Sequence, residues 1–260
     1  MSFVISSAST AATVLLTCEH GGNQVPPDYA AWFAEHDVLL NSHRGWDPGA
    51  LATARHFASQ LGMPLIWSEI TRLLVDLNRS ETNRAVFSEL LQQVDVAGRT
   101  EILDRHYRPF RAQVLQAITD QVRQGRFVWH LSFHSFTPVL RGEVRRAEIG
   151  LLYDPARAPE QSFCRRWQRE LQGVFPTYRI RMNYPYRGTS DGHTTLLRRR
   201  FSASQYAGIE LEVNQALYDQ PPEAVDALIA QLAATFQAAL NLGSHPPVAF
   251  AGDAEMYVTG

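Results

Sequence analysis

Short strand-like runs alternate with amphipathic stretches along the chain, and this alternation restricts the architecture more than any other feature. Val14–Cys18, Pro64–Ser68, Phe127–His134, Ile149–Tyr153 and Tyr178–Met182 are short, largely apolar and bounded by turn residues, as buried strands are. Gly208–Asn214 alternates, with Glu210 and Glu212 on one face and Ile209, Leu211 and Val213 on the other. An edge strand with a solvated face has the same pattern. Between these runs, Pro26–Leu40, Ala50–Gln60, Asn83–Val94, Ala97–Arg123, Pro159–Gln172 and Pro221–Leu242 read as helices. No repeat or linker divides the chain. Strands alternating with helices predict one α/β domain over residues 1–260, in three layers, with a mostly parallel sheet covered on both faces.

Composition narrows the function. Hydrophobic residues make up 45% and charged residues 19% of the chain, enough for a sizeable core in a soluble protein. A net charge of -2 gives no pull toward nucleic acid or an anionic membrane. No apolar stretch reaches the length of about 20 residues that a membrane span needs. All 24 basic residues are arginine. That removes Schiff-base and P-loop lysine chemistry and leaves the better fork for carboxylates. Cys18 and Cys164 make no disulfide framework. Met1–Ala12 has neither a basic region nor an unbroken apolar core, so a reduced cytoplasmic protein without a signal peptide is expected.

The polar residues at strand ends carry the chemistry. Val14–Cys18 runs into Glu19-His20-Gly21-Gly22-Asn23, where the glycines let the chain turn away from the strand. Open α/β sheets place ligands at such carboxyl ends. Phe127–His134 ends in a second histidine, and His130 shares its face further back, as a core residue. Glu212 lies near the end of a third strand. If these strands are parallel neighbours, His20, His134 and Glu212 meet at one rim. A catalytic zinc takes three protein ligands and keeps one position open. Two histidines and one oxygen ligand meet that need; a hydrogen-bonded structural histidine is the bland alternative for His20. Asn23 and Asp47 compete for the oxygen position, and the anionic Asp47 is preferred. Asp47 also reads as the N-cap of the helix at Ala50–Gln60. Glu212 is the candidate base beside the metal's water, with Glu210 and Glu19 as rivals. Arg79 and Arg187 are placed to hold a substrate carboxylate or an oxyanion. Asn183–Thr195 reads as a substrate-covering loop. His36, His56 and His106 read as packing or surface residues.

These stretches resemble a known family when taken together. EHGGNQVP from Glu19, WDPGA from Trp46, VDLNRS from Val75, FHS from Phe133, NYPYRG from Asn183 and ELEVNQALY from Glu210 occur in that order. Over roughly Val14–Tyr218 the chain resembles the N-formylglutamate amidohydrolases, which look related in fold to zinc carboxypeptidases. The resemblance implies a hydrolase acting on a small N-acyl amino acid. N-formyl-L-glutamate, split to formate and glutamate in histidine degradation, is the leading substrate. It implies one zinc ion on His20 and His134; Asn23 stands where carboxypeptidases carry a glutamate ligand, so the resemblance leaves the third ligand open between Asn23 and Asp47. Glu212 is then the base, and Asn78 and Arg79 belong to the substrate-carboxylate site. The full expected substrate-binding set is Asn23, Asn78, Arg79, Ser135 and Arg187. A monomer or small homo-oligomer is expected. Competing readings are a deacylase or peptidase for another carboxylate-bearing amide, a non-catalytic binding relative, and a thiol hydrolase using Cys18. The last is disfavoured because a thiol within an apolar run is inert.

Overall fold

The structure, a computed structural model, describes residues 12–241. The reading of the N-terminus as lacking a leader rests almost wholly on residues outside that range, as does the chain beyond Asn241. Strand β1 is Ala12–Cys18, β2 Leu65–Trp67 and β3 Phe127–Phe136. A small hairpin follows, β4 at Val139–Leu140 and β5 at Glu143–Val144; then come β6 at Ile149–Leu152, β7 at Ile180–Met182 and β8 at Tyr206–Asn214. Apart from the hairpin, these form a six-stranded sheet in the order β2-β1-β3-β8-β6-β7. Every pairing in it is parallel except β6 against β8. The doubly covered, mostly parallel sheet is therefore as the alternation requires.

The two-residue period of the strands decides which layer is greasy and which is chemical. In β3, Phe127, Trp129, Leu131 and Phe133 enter one core, and in β8 Ala207, Ile209, Leu211 and Val213 enter the same one. Helices α3 (Ala50–Leu61), α6 (Ala158–Val174) and α8 (Pro222–Asn241) cover that face with Phe57, Phe163, Trp167 and Phe236. The alternate residues face the other layer, where α5 (Arg108–Arg123) contributes Phe110, Val114 and Ile118. There β3 presents His130, Ser132 and His134, and β8 presents Glu210 and Glu212, all buried. β8 is thus a central strand and not a solvated edge.

The helices depart from expectation in informative places. Pro26–Leu40 is not one helix: a 3₁₀ turn at Pro27–Tyr29 leads to α1 (Ala30–Phe33), and α2 (Asp37–Leu40) follows after a break. Only Tyr29, Phe33 and Leu40 of these elements are buried, too sparse a stripe to pin a continuous helix. Asn83–Val94 forms only a 3₁₀ turn at Glu89–Leu91. Ala97–Arg123 does form helix, as α4 (Val96–Ile102) and α5 joined by a π turn at Leu103–Tyr107. Pro109 opens α5, and the wider turn before it accommodates a residue with no N–H to donate. The loop at Asn183–Thr195 ends early, because α7 (His193–Arg198) begins inside it.

The loop before α3 depends on a glycine. Gly49 has φ +82°, and a Cβ there would lie 2.4 Å from the Tyr218 ring, whose hydroxyl pairs with Thr53 Oγ1 at 2.7 Å. Gly49→Ala is expected to destabilise the protein by about 1–3 kcal/mol, read as a shift in the urea midpoint at constant slope.

Candidate active site

His20 follows β1, and its surroundings fix the ring. Gly21 donates to the Ser68 carbonyl at 2.9 Å, tying this turn to the chain beyond β2. A Cβ on Gly22 would stand 2.6 Å from the Glu69 carbonyl oxygen, so this glycine serves close approach. Neither glycine is among the positive-φ residues. His20 Nε2 lies 2.7 Å from Asp76 Oδ1, and Nδ1 lies 3.4 Å from Asp47 Oδ2. His134 Nδ1 lies 2.9 Å from the same Asp47 oxygen. One ligand-capable atom each from His20, Asp47 and His134 thus falls within 4.8 Å of the others, and all three residues are buried. Asp47 does not cap α3. The N-cap is Gly49, without a side-chain bond, and the Asp47 carboxylate turns instead to the histidines and Arg72.

A charged network surrounds this cluster. Arg72 donates to Asp47 Oδ1 at 3.2 Å and to Asp76 Oδ2 at 2.8 Å. Burial opposes ionisation of Asp47, but His20, His134 and Arg72 outweigh it and hold the carboxyl well below its usual range. Burial also disfavours charge on His134, yet the hydrogen bond and charge of Asp47 push this imidazole up to about 10. Behind His134, Ser132 Oγ lies 3.0 Å from its Nε2 and donates to Glu19 Oε2 at 2.7 Å. Glu19 also accepts from Thr17 at 2.9 Å and pairs with His193 Nδ1 at 2.9 Å. With its oxygens committed to these partners, Glu19 is less available as a base than Glu212. His130 is a core residue, held by the Thr17 and Tyr206 hydroxyls at 2.8 and 2.7 Å.

Glu212 pairs with His134 across β3 and β8. It is buried, and its Oε2 has no hydrogen-bond partner among the described residues. Burial pushes its carboxyl up to about 8, against the lowering pull of His134. Glu210 sits one step back along the same face and accepts from the Thr194 hydroxyl at 2.6 Å.

These groups open on a cleft of about 330 Å³ lined by His20, Asp47, Asn78, Arg79, His134, Ser135, Arg187, Glu210 and Glu212, among others. The structure brings all but one of the expected site residues to this cleft. The exception is Asn23: its amide donates to the Leu40 carbonyl at 3.3 Å and Asn41 Oδ1 at 2.9 Å, and it does not line the cleft. Its place as ligand or substrate contact is corrected to a loop brace, because the turn after His20 carries it toward α2. Ser135 lines the cleft while donating to the Pro48 carbonyl at 2.7 Å, which steadies the Asp47 loop. Asn78 accepts from the His193 backbone N–H at 2.7 Å. Sequence reasoning did not assign roles to Arg72, Asp76, Arg145 or His193. The polar run at Arg72–Arg79 was a usable signal for the first pair; nothing local marks Arg145.

A parallel α/β sheet with buried histidines and carboxylates at its carboxyl edge, beneath an arginine-lined cleft, is an architecture suited to hydrolysis of small anionic substrates. Residues 12–219 match the N-formylglutamate amidohydrolase family, and the chain belongs to it. It is therefore a hydrolase of linear amide bonds. The fold is similar to gene product Atu2144 of Agrobacterium tumefaciens, at 28% identity and TM-score 0.76, covering 91% of this chain and 93% of that one. It is also similar to N-formylglutamate amidohydrolase from Ralstonia eutropha JMP134, at 17% identity and TM-score 0.67, covering 89% and 94%. No curated protein matches the chain significantly. Among the described residues no helix is long and apolar enough to cross a membrane.

Proposed function

We propose that this protein is a metal-dependent deformylase of N-formyl-L-glutamate, with His20, Asp47 and His134 holding one zinc-type divalent ion. The observation that carries the reading is the meeting of these three residues directly beside Glu212. The donor set fits such an ion. If His20 donates its Nε2 proton to Asp76, its Nδ1 lone pair faces the Asp47 carboxylate at 3.4 Å, an unfavourable pairing that a cation between them relieves. Each histidine also has an outer nitrogen beside an oxygen, Asp76 for His20 and Ser132 for His134, the support that ligating histidines receive.

When bound, such an ion lowers the pKa of a water toward about 7 and polarises the amide carbonyl. The chain's own groups do the rest. Glu212, with an uncommitted Oε2, takes the proton from the attacking water and returns it to the departing nitrogen. Arg79 and Asn78 receive the α-carboxylate, and Arg187 stands at the same cleft. Arg79→Ala is expected to raise KM about 10–100-fold while kcat changes little, since a charge-assisted bond to a non-reacting group is lost. An unchanged KM in steady-state assays removes Arg79 from that role.

The reading is tested by metal analysis of the purified protein together with formate release from a panel of N-acyl amino acids. About one equivalent of metal and highest kcat/KM on N-formyl-L-glutamate are expected. Full activity after chelation and exhaustive dialysis overturns the metal; absence of formate release overturns the reaction.

A further inference from the structure

Four arginines line the cleft, and their charges are not equally free. Arg72 is paired with Asp47 and Asp76 at 3.2 and 2.8 Å, and Arg79 lies 3.8 Å from Asp76. Arg187 is exposed. Arg145 differs from all of these. It is half-buried, and among the described residues no carboxylate lies within ion-pair distance of it. Its Nη2 donates to the Tyr186 hydroxyl at 3.2 Å, whereas Nη1 is buried with no acceptor among the described residues. The guanidinium sits 5.1 Å from the Tyr186 ring centre and 5.9 Å from that of Phe136. Its backbone is anchored on both sides, by its N–H to the Pro138 carbonyl at 2.8 Å and by Asn214 Nδ2 on its carbonyl at 3.2 Å. A guanidinium fixed this firmly, with no carboxylate partner among the described residues and one nitrogen lacking an acceptor there, is a receptor whose partner comes from outside the chain.

We infer that Arg145 receives the side-chain carboxylate of the substrate and restricts the enzyme to N-acyl derivatives of acidic amino acids, with the α-carboxylate left to Arg79. This rests on the deformylase reading for the reaction, though the charge recognition can be measured without it. Tyr186 presents the guanidinium fork, and the planar group meets a carboxylate through two parallel bonds.

The experiment compares N-formyl-L-glutamate with its neutral near-isostere N-formyl-L-glutamine in wild type, Arg145→Met, Arg145→Lys and the exposed-neighbour control Arg146→Met. In Arg145→Met the kcat/KM preference for the glutamate substrate is expected to fall about 30-fold, through KM, as loss of hydrogen bonds to a charged group implies. Arg145→Lys should recover part of it, and Arg146→Met should keep the wild-type ratio. Equal loss on both substrates, or an unchanged ratio in Arg145→Met, overturns the assignment. Calorimetric titration with L-glutamate and L-glutamine gives an answer independent of turnover. Glutamate binding preferentially to wild type but not to Arg145→Met supports the receptor, even if no formyl compound is cleaved. Equal affinity for the two in wild type, or binding of neither, overturns it.

Discussion

Asp47→Ala is expected to yield a purified protein that holds no divalent ion and releases no measurable formate. Among the described residues, Asp47 Oδ2 is the carboxylate oxygen that both histidines approach, at 3.4 and 2.9 Å. Removing it should weaken metal binding by more than the roughly 10–100-fold that loss of an outer-shell partner costs. The substitution also strips Arg72 and two histidines of a buried anion, and breaking such a cluster costs about 3–5 kcal/mol. Metal content after dialysis and the urea midpoint separate the two effects. Asp47→Asn, which keeps the shape, should fold better than the alanine variant and still bind metal poorly. Stoichiometric metal in both variants would exclude Asp47 as a ligand.

Glu212→Gln should lower kcat by about 10²–10⁴ while the metal stays bound, since a positioned general base contributes about that much. The amide is nearly the size of the carboxyl it replaces, and a carboxyl pushed up to about 8 is largely protonated at neutral pH without the ion. The fold of the metal-free variant should therefore match wild type in thermal melting. A kcat within tenfold of wild type would pass the role of base to another group, Glu210 being nearest on the strand. Retained metal with lost turnover is the signature that separates this variant from Asp47→Ala.

How much could be read beforehand depended on the range of the interactions involved. The strand at Phe127–Phe136 was legible because every second residue from Phe127 to Phe133 is apolar, and one face of β3 is core. The helix at α3 was legible from the turn residues Asp47-Pro48 before it, although Gly49 and not Asp47 is its N-cap. Pro26–Leu40 was overread: its sequence tolerates helix, but the body of the protein buries too few of its side chains to hold one. Asp47 carried two competing local meanings, cap and ligand. Only the turn at Gly49, with φ +82°, takes the helix start away from Asp47 and leaves its carboxylate facing the histidines. Arg145 could not be found from its neighbours, because its setting is made by Tyr186, Phe136 and Asn214 from other parts of the chain.

By itself the sequence determined the strands and most helices, the polar face of β3 and β8, and the family, because periodicity and motif order are properties of neighbours along the chain. Tertiary structure decided that β1, β3 and β8 lie side by side. It also decided that Asp47 and not Asn23 joins His20 and His134, and which half-buried arginine of the cleft has no carboxylate partner among the described residues. Those outcomes depend on strand order and loop direction, which are set by burying two cores at once and leave no local trace.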